Sequence, residues 1–124
     1  MIQQNEALEP LYVDLAPAIF RQRLVIEGIP ARPIDADDIV EYLSVLSTVC
    51  GMTTLSAPVT HRSDRYGWAG WIHWETSGAH FYAWEQPQLF FSVDIYTCKE
   101  FAPQDAVAFT TAFFDSETVV SRPW

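Results

Sequence analysis

Apolar and polar positions along this chain follow two periods, one near two residues and one near 3.6, and the switch between them divides it into elements. Gln22 to Ile29 is rich in branched residues (Leu24, Val25, Ile26) and ends at Gly28 and Pro30, which predicts a strand followed by a loop over Pro30 to Ile34. Asp35 is a good N-cap, and Asp37 and Asp38 fall in the first turn, where the helix dipole favours negative charge. Ile39, Leu43, Leu46 and Cys50 then recur at helical spacing, with Val40 and Val49 widening the stripe, and Gly51 stops the helix. Met52 to Val59 is predicted as a second strand, with a turn over Arg62 to Tyr66.

Gly67 to Glu75 is predicted as a third strand with Trp68, Gly70, Ile72 and Trp74 on one face and Ala69, Trp71, His73 and Glu75 on the other. A break at Thr76 to Ala79 leads to a fourth strand, His80 to Glu85, and Gln86-Pro87-Gln88 is a turn. Phe90 to Cys98 alternates cleanly: Phe91, Val93 and Ile95 make an apolar face, while Ser92, Asp94, Tyr96 and Cys98 point the other way. Pro103 suits the first turn of a second helix whose stripe is Ala106, Phe109, Ala112 and Phe113, and Thr118 to Ser121 makes a short last strand.

This order predicts the α+β class: a two-layer α/β sandwich, mostly antiparallel sheet with two helices on one face. The chain is expected to be a single domain over residues 1–124, with residues 1–20 as an N-terminal extension. The uncovered sheet face would carry Trp71, His73, Asp94 and Cys98. A face both polar and aromatic calls for a ligand or a second subunit.

Charge narrows the partners. Seven Lys and Arg against sixteen Asp and Glu give a net charge of −9, which repels phosphate backbones and anionic lipid, so neither nucleic acid nor a membrane is expected as partner. Met1 to Pro10 is polar and acidic, without the basic and apolar regions of an export signal, and no apolar run is long enough to span a bilayer. Cys50 and Cys98 form no metal or redox spacing, so a reduced, cytoplasmic setting is expected.

The chemistry-bearing residues concentrate between Trp74 and Cys98. The stretch reads Trp74-Glu75-Thr76-Ser77-Gly78-Ala79-His80-Phe81-Tyr82-Ala83-Trp84-Glu85 and closes on Val93-Asp94-Ile95-Tyr96-Thr97-Cys98. It resembles the bacterial, pyruvoyl-dependent S-adenosylmethionine decarboxylases, whose core runs Glu-Ser-His, a short gap, His-Thr-Trp-Pro-Glu, then Val-Asp-x-Phe-Thr-Cys-Gly. With Trp84 on the family tryptophan, Ser77 falls at the self-cleavage serine, and Cys98 is reached after one inserted residue. The order of helices and strands from about Leu24 to Phe114 is also similar to the family's. Several positions differ: Thr76 replaces the glutamate, Gly78 the first histidine, Tyr82 the processing histidine and Lys99 the glycine after the cysteine. A shifted frame puts Glu75 on the glutamate but Thr76 at the cleavage position.

The resemblance implies an α/β sandwich with paired protomers, a homodimer, and a lyase or decarboxylase of polyamine-type metabolism acting on S-adenosylmethionine or a related amino acid. It implies catalytic roles for Ser77, Cys98, His80 and Glu75 and a substrate contact from Glu85; Trp71, as an aromatic wall, Asp94, as a mid-strand carboxylate in need of a partner, and Tyr82 are further candidate substrate-binding residues. A pyruvoyl group from Ser77 is expected only on self-cleavage, which needs a hydroxyl against the preceding carbonyl, a base and an oxyanion donor. Of these only the hydroxyl is evident, so an uncleaved chain without cofactor or metal is expected. Two other readings stay open. His73, Glu75, His80 and Glu85 vaguely resemble the ligand pattern of cupin barrels, which suits a metal-dependent small-molecule enzyme. A non-catalytic homo-oligomeric module would use the tryptophan-rich face as its interface.

Overall fold

The computed structural model describes residues 11–123. The polar, acidic stretch Met1 to Pro10 lies outside them. Six strands and two helices follow in the order β1 (Gln22–Ile29), α1 (Ala36–Val49), β2 (Val59–Ser63), β3 (Gly67–Trp74), β4 (Ser77–Trp84), β5 (Phe90–Thr97), α2 (Pro103–Phe113) and β6 (Thr118–Pro123). All six strands pair antiparallel in one sheet of order β2-β3-β4-β5-β1-β6. Both helices pack on one face, so the predicted two-layer sandwich is the observed one.

The helix starts as its sequence dictates. Asp35 Oδ1 accepts the Asp38 N–H at 2.9 Å, and Asp38 Oδ2 accepts the Asp35 N–H at 3.0 Å, a reciprocal capping box. The Arg32 guanidinium grips the same Asp38 carboxylate through two bonds of 2.9 Å and holds its pKa below the usual carboxylate range. Ile39, Tyr42, Leu43 and Leu46 are buried against the sheet, whereas Val40 is turned to solvent. Helix α1 crosses the sheet at Gly70, where a Cβ would lie 2.6 Å from Ile39 Cγ2; only glycine permits that approach.

Leu24 and Ile26 of β1, Phe81 of β4 and Phe91, Val93 and Ile95 of β5 form the sheet's side of the core. Tyr42 stands at its centre, with the rings of Phe81, Phe109, Phe113 and Phe114 at 5.0–5.5 Å. Burial pushes the Tyr42 phenol well above its ordinary pKa. Its hydroxyl lies 2.7 Å from Thr110 Oγ1. Because Thr110 donates its own hydrogen to Ala106 O, Tyr42 is the donor.

Four predicted details are corrected. Met52 to Val59 is not a strand: Met52 is tucked into the core, Thr54 makes a lone bridge to Trp74, and pairing resumes only at Val59. Pro58 has no N–H to give a ladder, which delays the strand until it is passed. Arg62 and Ser63, expected in a turn, therefore belong to β2, opposite Trp68 and Gly67. The expected break at Thr76 to Ala79 is a two-residue turn, Glu75-Thr76, and Ser77 already pairs with Trp74. On α2 the buried stripe is Ala106 and Thr110 flanked by Phe109 and Phe113, while Ala112 faces solvent. Six residues after Ala106 is about 240° around the helix, off the inward face.

Candidate functional site

Among the described residues no helix covers the second face of the sheet. Strict alternation along β1, β4 and β5 sends Arg23, Val25, Glu27, His80, Tyr82, Ser92, Asp94 and Tyr96 to it, and the registers set them in rows. Gly78, Tyr96 and Arg23 form one row; His80, Asp94 and Val25 the next; Tyr82, Ser92 and Glu27 the third. A cavity of about 790 Å³ lies over these rows, with His73 from β3 at its side.

Ser77 reaches this cavity against the alternation of its strand. Its parity matches Ala79 and Phe81, both buried under the helices. Backbone conformation overrides parity: φ is +140° at Ser77 and +157° at Gly78. At Gly78 the close approach is also steric, since a Cβ would meet Ile72 O at 2.3 Å. Positive φ at a serine is strained, and the strained turn aims Ser77 Oγ at Cys98 Sγ, 3.6 Å away. Cys98 is exposed at the end of β5, and its N–H donates to Thr76 O at 2.7 Å. The serine hydroxyl, the thiol and a polarised carbonyl ahead of the serine thus meet at one edge of the cavity. Beneath them, Thr76 Oγ1 and Thr97 Oγ1 are 3.0 Å apart and Thr97 Oγ1 accepts the Lys99 N–H, which fixes both loops.

The cavity has a basic and an acidic end. On β1, in the row of Gly78 and Tyr96, the Arg23 guanidinium sits 4.5 Å from the Tyr96 ring centroid, a cation–π contact. At the far end Ser92 donates to Glu27 Oε2 at 2.7 Å, holding the carboxylate in place. Asp94 lies between, exposed and in register with His80. Solvent exposure spares Asp94 the desolvation cost that a buried mid-strand carboxylate would carry.

The expected site residues divide. Ser77, His80 and Asp94 line the cavity, and Cys98 touches Ser77 at its edge. Tyr82 is on the same face, its hydroxyl 3.4 Å from His80 Nδ1. Trp71 is on it too, one strand further out, with its ring 4.2 Å from that of His73. Glu75 lies elsewhere, exposed in the hairpin turn, its N–H bonded to Thr53 O. Glu85 lies past the opposite end of β4, 3.9 Å from Arg62. Glu75 and Glu85 therefore do not join the histidines, and among the described residues no three His, Cys, Asp or Glu side chains converge as metal ligands. The three tryptophans also separate: Trp74 is buried, Trp68 is packed at the core's margin, and Trp71 alone faces outward.

Sequence reasoning missed Arg23, Glu27 and Ser92. The signal was present, because Arg23, Val25 and Glu27 alternate with Leu24 and Ile26 as cleanly as the residues of β5 do. Neighbouring strands place Glu27 opposite Ser92, and that pairing is not written in either segment.

For a pyruvoyl group, the residues present fall short. The hydroxyl is there, and the Cys98 N–H on Thr76 O supplies the oxyanion donor that sequence reasoning had not found. The base is not: among the described residues the side-chain partner of Ser77 Oγ is a thiol, while His80 lies further along β4 beside Tyr82. No chemical step through that group follows from this arrangement.

A sequence profile described as S-adenosylmethionine decarboxylase matches residues 26–123, most of the chain. Among solved structures, the adenosylmethionine decarboxylase from Aquifex aeolicus VF5 is similar, with a TM-score of 0.70 over 86% of this chain and 89% of that one. Identity between the two is 15%, so this likeness is one of fold. No curated protein matches the chain.

Proposed function

The chain belongs to the S-adenosylmethionine decarboxylase family, and from that premise we propose that its open-face cavity binds S-adenosylmethionine or a closely related cationic amino acid, in a chain that remains uncleaved. The observation that carries this reading is the meeting of Ser77 and Cys98 at the edge of a cavity whose far end is acidic. Glu27 and Asp94 favour a cationic group, and Tyr96 offers a ring face to a sulfonium or an adenine. Arg23, in the same cavity as Ser77, suits a carboxylate. Glu75 and Glu85 have no part in the cavity so formed, while Tyr82, His80 and Trp71 would wall its β3–β4 side. A lyase reaction of polyamine-type metabolism would need groups beyond a serine and a thiol, and the proposed role is binding.

The proposed assembly is a homodimer through the open faces, which would cover the half-exposed Tyr82 and Tyr96. A reduced, cytoplasmic setting suits the two free thiols. Among the described residues no helix is long and apolar enough to cross a membrane, and the charge of −9 argues against nucleic acid as a partner. The non-catalytic module is the second reading, favoured by the missing base at Ser77.

Two measurements test the proposal. Intact mass spectrometry is expected to give one species near 14.1 kDa; two fragments, the C-terminal one blocked at its N-terminus, would show processing. Titration calorimetry with S-adenosylmethionine is expected to show binding that Glu27→Gln weakens about ten-fold, the scale of one charged contact. No heat of binding with S-adenosylmethionine, ornithine or arginine would leave the non-catalytic module.

A further inference from the structure

Six large apolar side chains stand in water ahead of the sandwich. Leu11, Tyr12, Val13, Leu15, Ile19 and Phe20 are between 52% and 91% exposed, on a segment that belongs to no helix or strand. The segment nevertheless has a defined course. The Asp14 carboxylate accepts from the Arg21 guanidinium and from the Ala16 N–H at 2.9 Å, and the Ile19 N–H bonds Ala16 O at 2.9 Å. These contacts make a turn tied to the start of β1.

The tie is on the open face. Gln22 sends its side chain to Phe101 on the covered side, so the alternation of β1 puts Arg21 on the opposite side, in line with Arg23. Arg23, the next residue on that face, lies 4.5 Å from the ring of Tyr96, a wall of the cavity. The arm is thus tied to the chain at the cavity's end of β1, with its apolar groups exposed.

We infer that residues 11–20 form an exchanged arm: in a two-fold pair of this chain, the arm of one copy lays its apolar side chains on the open sheet face of the other, beside the cavity. This rests on the homodimer proposed above and adds to it. Area argues for a second copy as the occupant. At roughly 150 Å² per large side chain, the exposed fractions amount to about 600 Å² per arm. A stable interface takes about 800 Å² from each partner. Tyr82 and Tyr96 of the open face add to the arm's share, whereas that face by itself is crossed by Arg23, Glu27 and Asp94 and makes a poor apolar contact. Two-fold symmetry makes each arm–face contact twice.

Sedimentation velocity on the full chain and on a chain lacking residues 1–20 tests the inference. The truncated chain is expected to keep its far-UV circular dichroism and to dimerise at least ten-fold more weakly. Leu15→Cys in a Cys98→Ser background gives a second readout: maleimide labelling at that site should slow at least five-fold above the dimer dissociation constant and not below it. A full chain that is monomeric at every concentration would sink the dimer and the arm together. A dimer unaffected by truncation would overturn the arm alone. Labelling that is slow at every concentration would mean the arm covers its own sheet, and labelling fast in the dimer would mean it covers nothing; either overturns the exchange. Should the truncated chain unfold, the labelling result decides.

Discussion

Ser77 holds a backbone conformation, φ +140°, that suits glycine, and this can be read as stability. The informative comparison is Ser77→Gly against Ser77→Ala. Both remove the hydroxyl and its 3.6 Å contact with Cys98 Sγ, so that loss cancels between them. Alanine keeps a Cβ and hence the strain, which is worth about 1–3 kcal/mol at such a position. Glycine releases it but adds roughly 0.5–1 kcal/mol of unfolded-state entropy within a strand. The glycine variant should therefore be the more stable, by up to about 2.5 kcal/mol and by roughly 1 kcal/mol at the middle of both ranges. For a domain of this size that middle value is a melting temperature higher by about 4 °C. Urea denaturation followed by tryptophan fluorescence gives the difference directly, with equal m-values as the check that both unfold from the same state. A glycine variant less stable than the alanine variant would refute the strained turn, and with it the account of how Ser77 leaves the covered face.

Other consequences follow from the core and the thiols. Trp74 donates to Ser47 Oγ at 2.7 Å and Ser47 donates to Leu43 O at 2.8 Å, all buried, so Ser47→Ala leaves an indole N–H unmatched and should cost about 1–3 kcal/mol by denaturant unfolding. Cys98 should be alkylated by iodoacetamide in the folded protein, while Cys50, buried, should react only on unfolding; equal rates by peptide mapping would contradict the burial. Burial first, and the Asp105 charge second, push the Cys50 thiol up to about 12 from an ordinary value of 9.0. Below pH 9 the thiol is neutral in both states and its contribution is intact. Between pH 9 and 12 only the unfolded chain ionises, so stability should fall as pH rises, by at most about 1.4 kcal/mol per pH unit for this group. Tyr42 adds to the fall above pH 10, and Cys50→Ala should flatten the curve between pH 9 and 10.

How much of this protein was legible in its sequence varies by element. The capped helix α1, the alternation of β5 and the proline-led α2 are local matters, in which neighbouring residues carry the whole signal. Where a proline removed a donor, as at Pro58, local reading placed the strand too early. Ser77 and Cys98 were found by motif, but the motif also drew in Glu75 and Glu85, which the hairpin turn and the far end of β4 keep out of the cavity.

What the sequence by itself determined is therefore the layering: which residues face the helices, which face outward, and that helices and an antiparallel sheet share one core. Periodicity encodes that because it is a property of each segment alone. Only the tertiary structure decided the composition of the cavity, since Glu27 meets Ser92 and Arg23 meets Tyr96 through pairing of strands 65 and 73 residues apart. It also decided that Ser77 turns outward, because two consecutive positive φ angles reverse a side chain that alternation would bury.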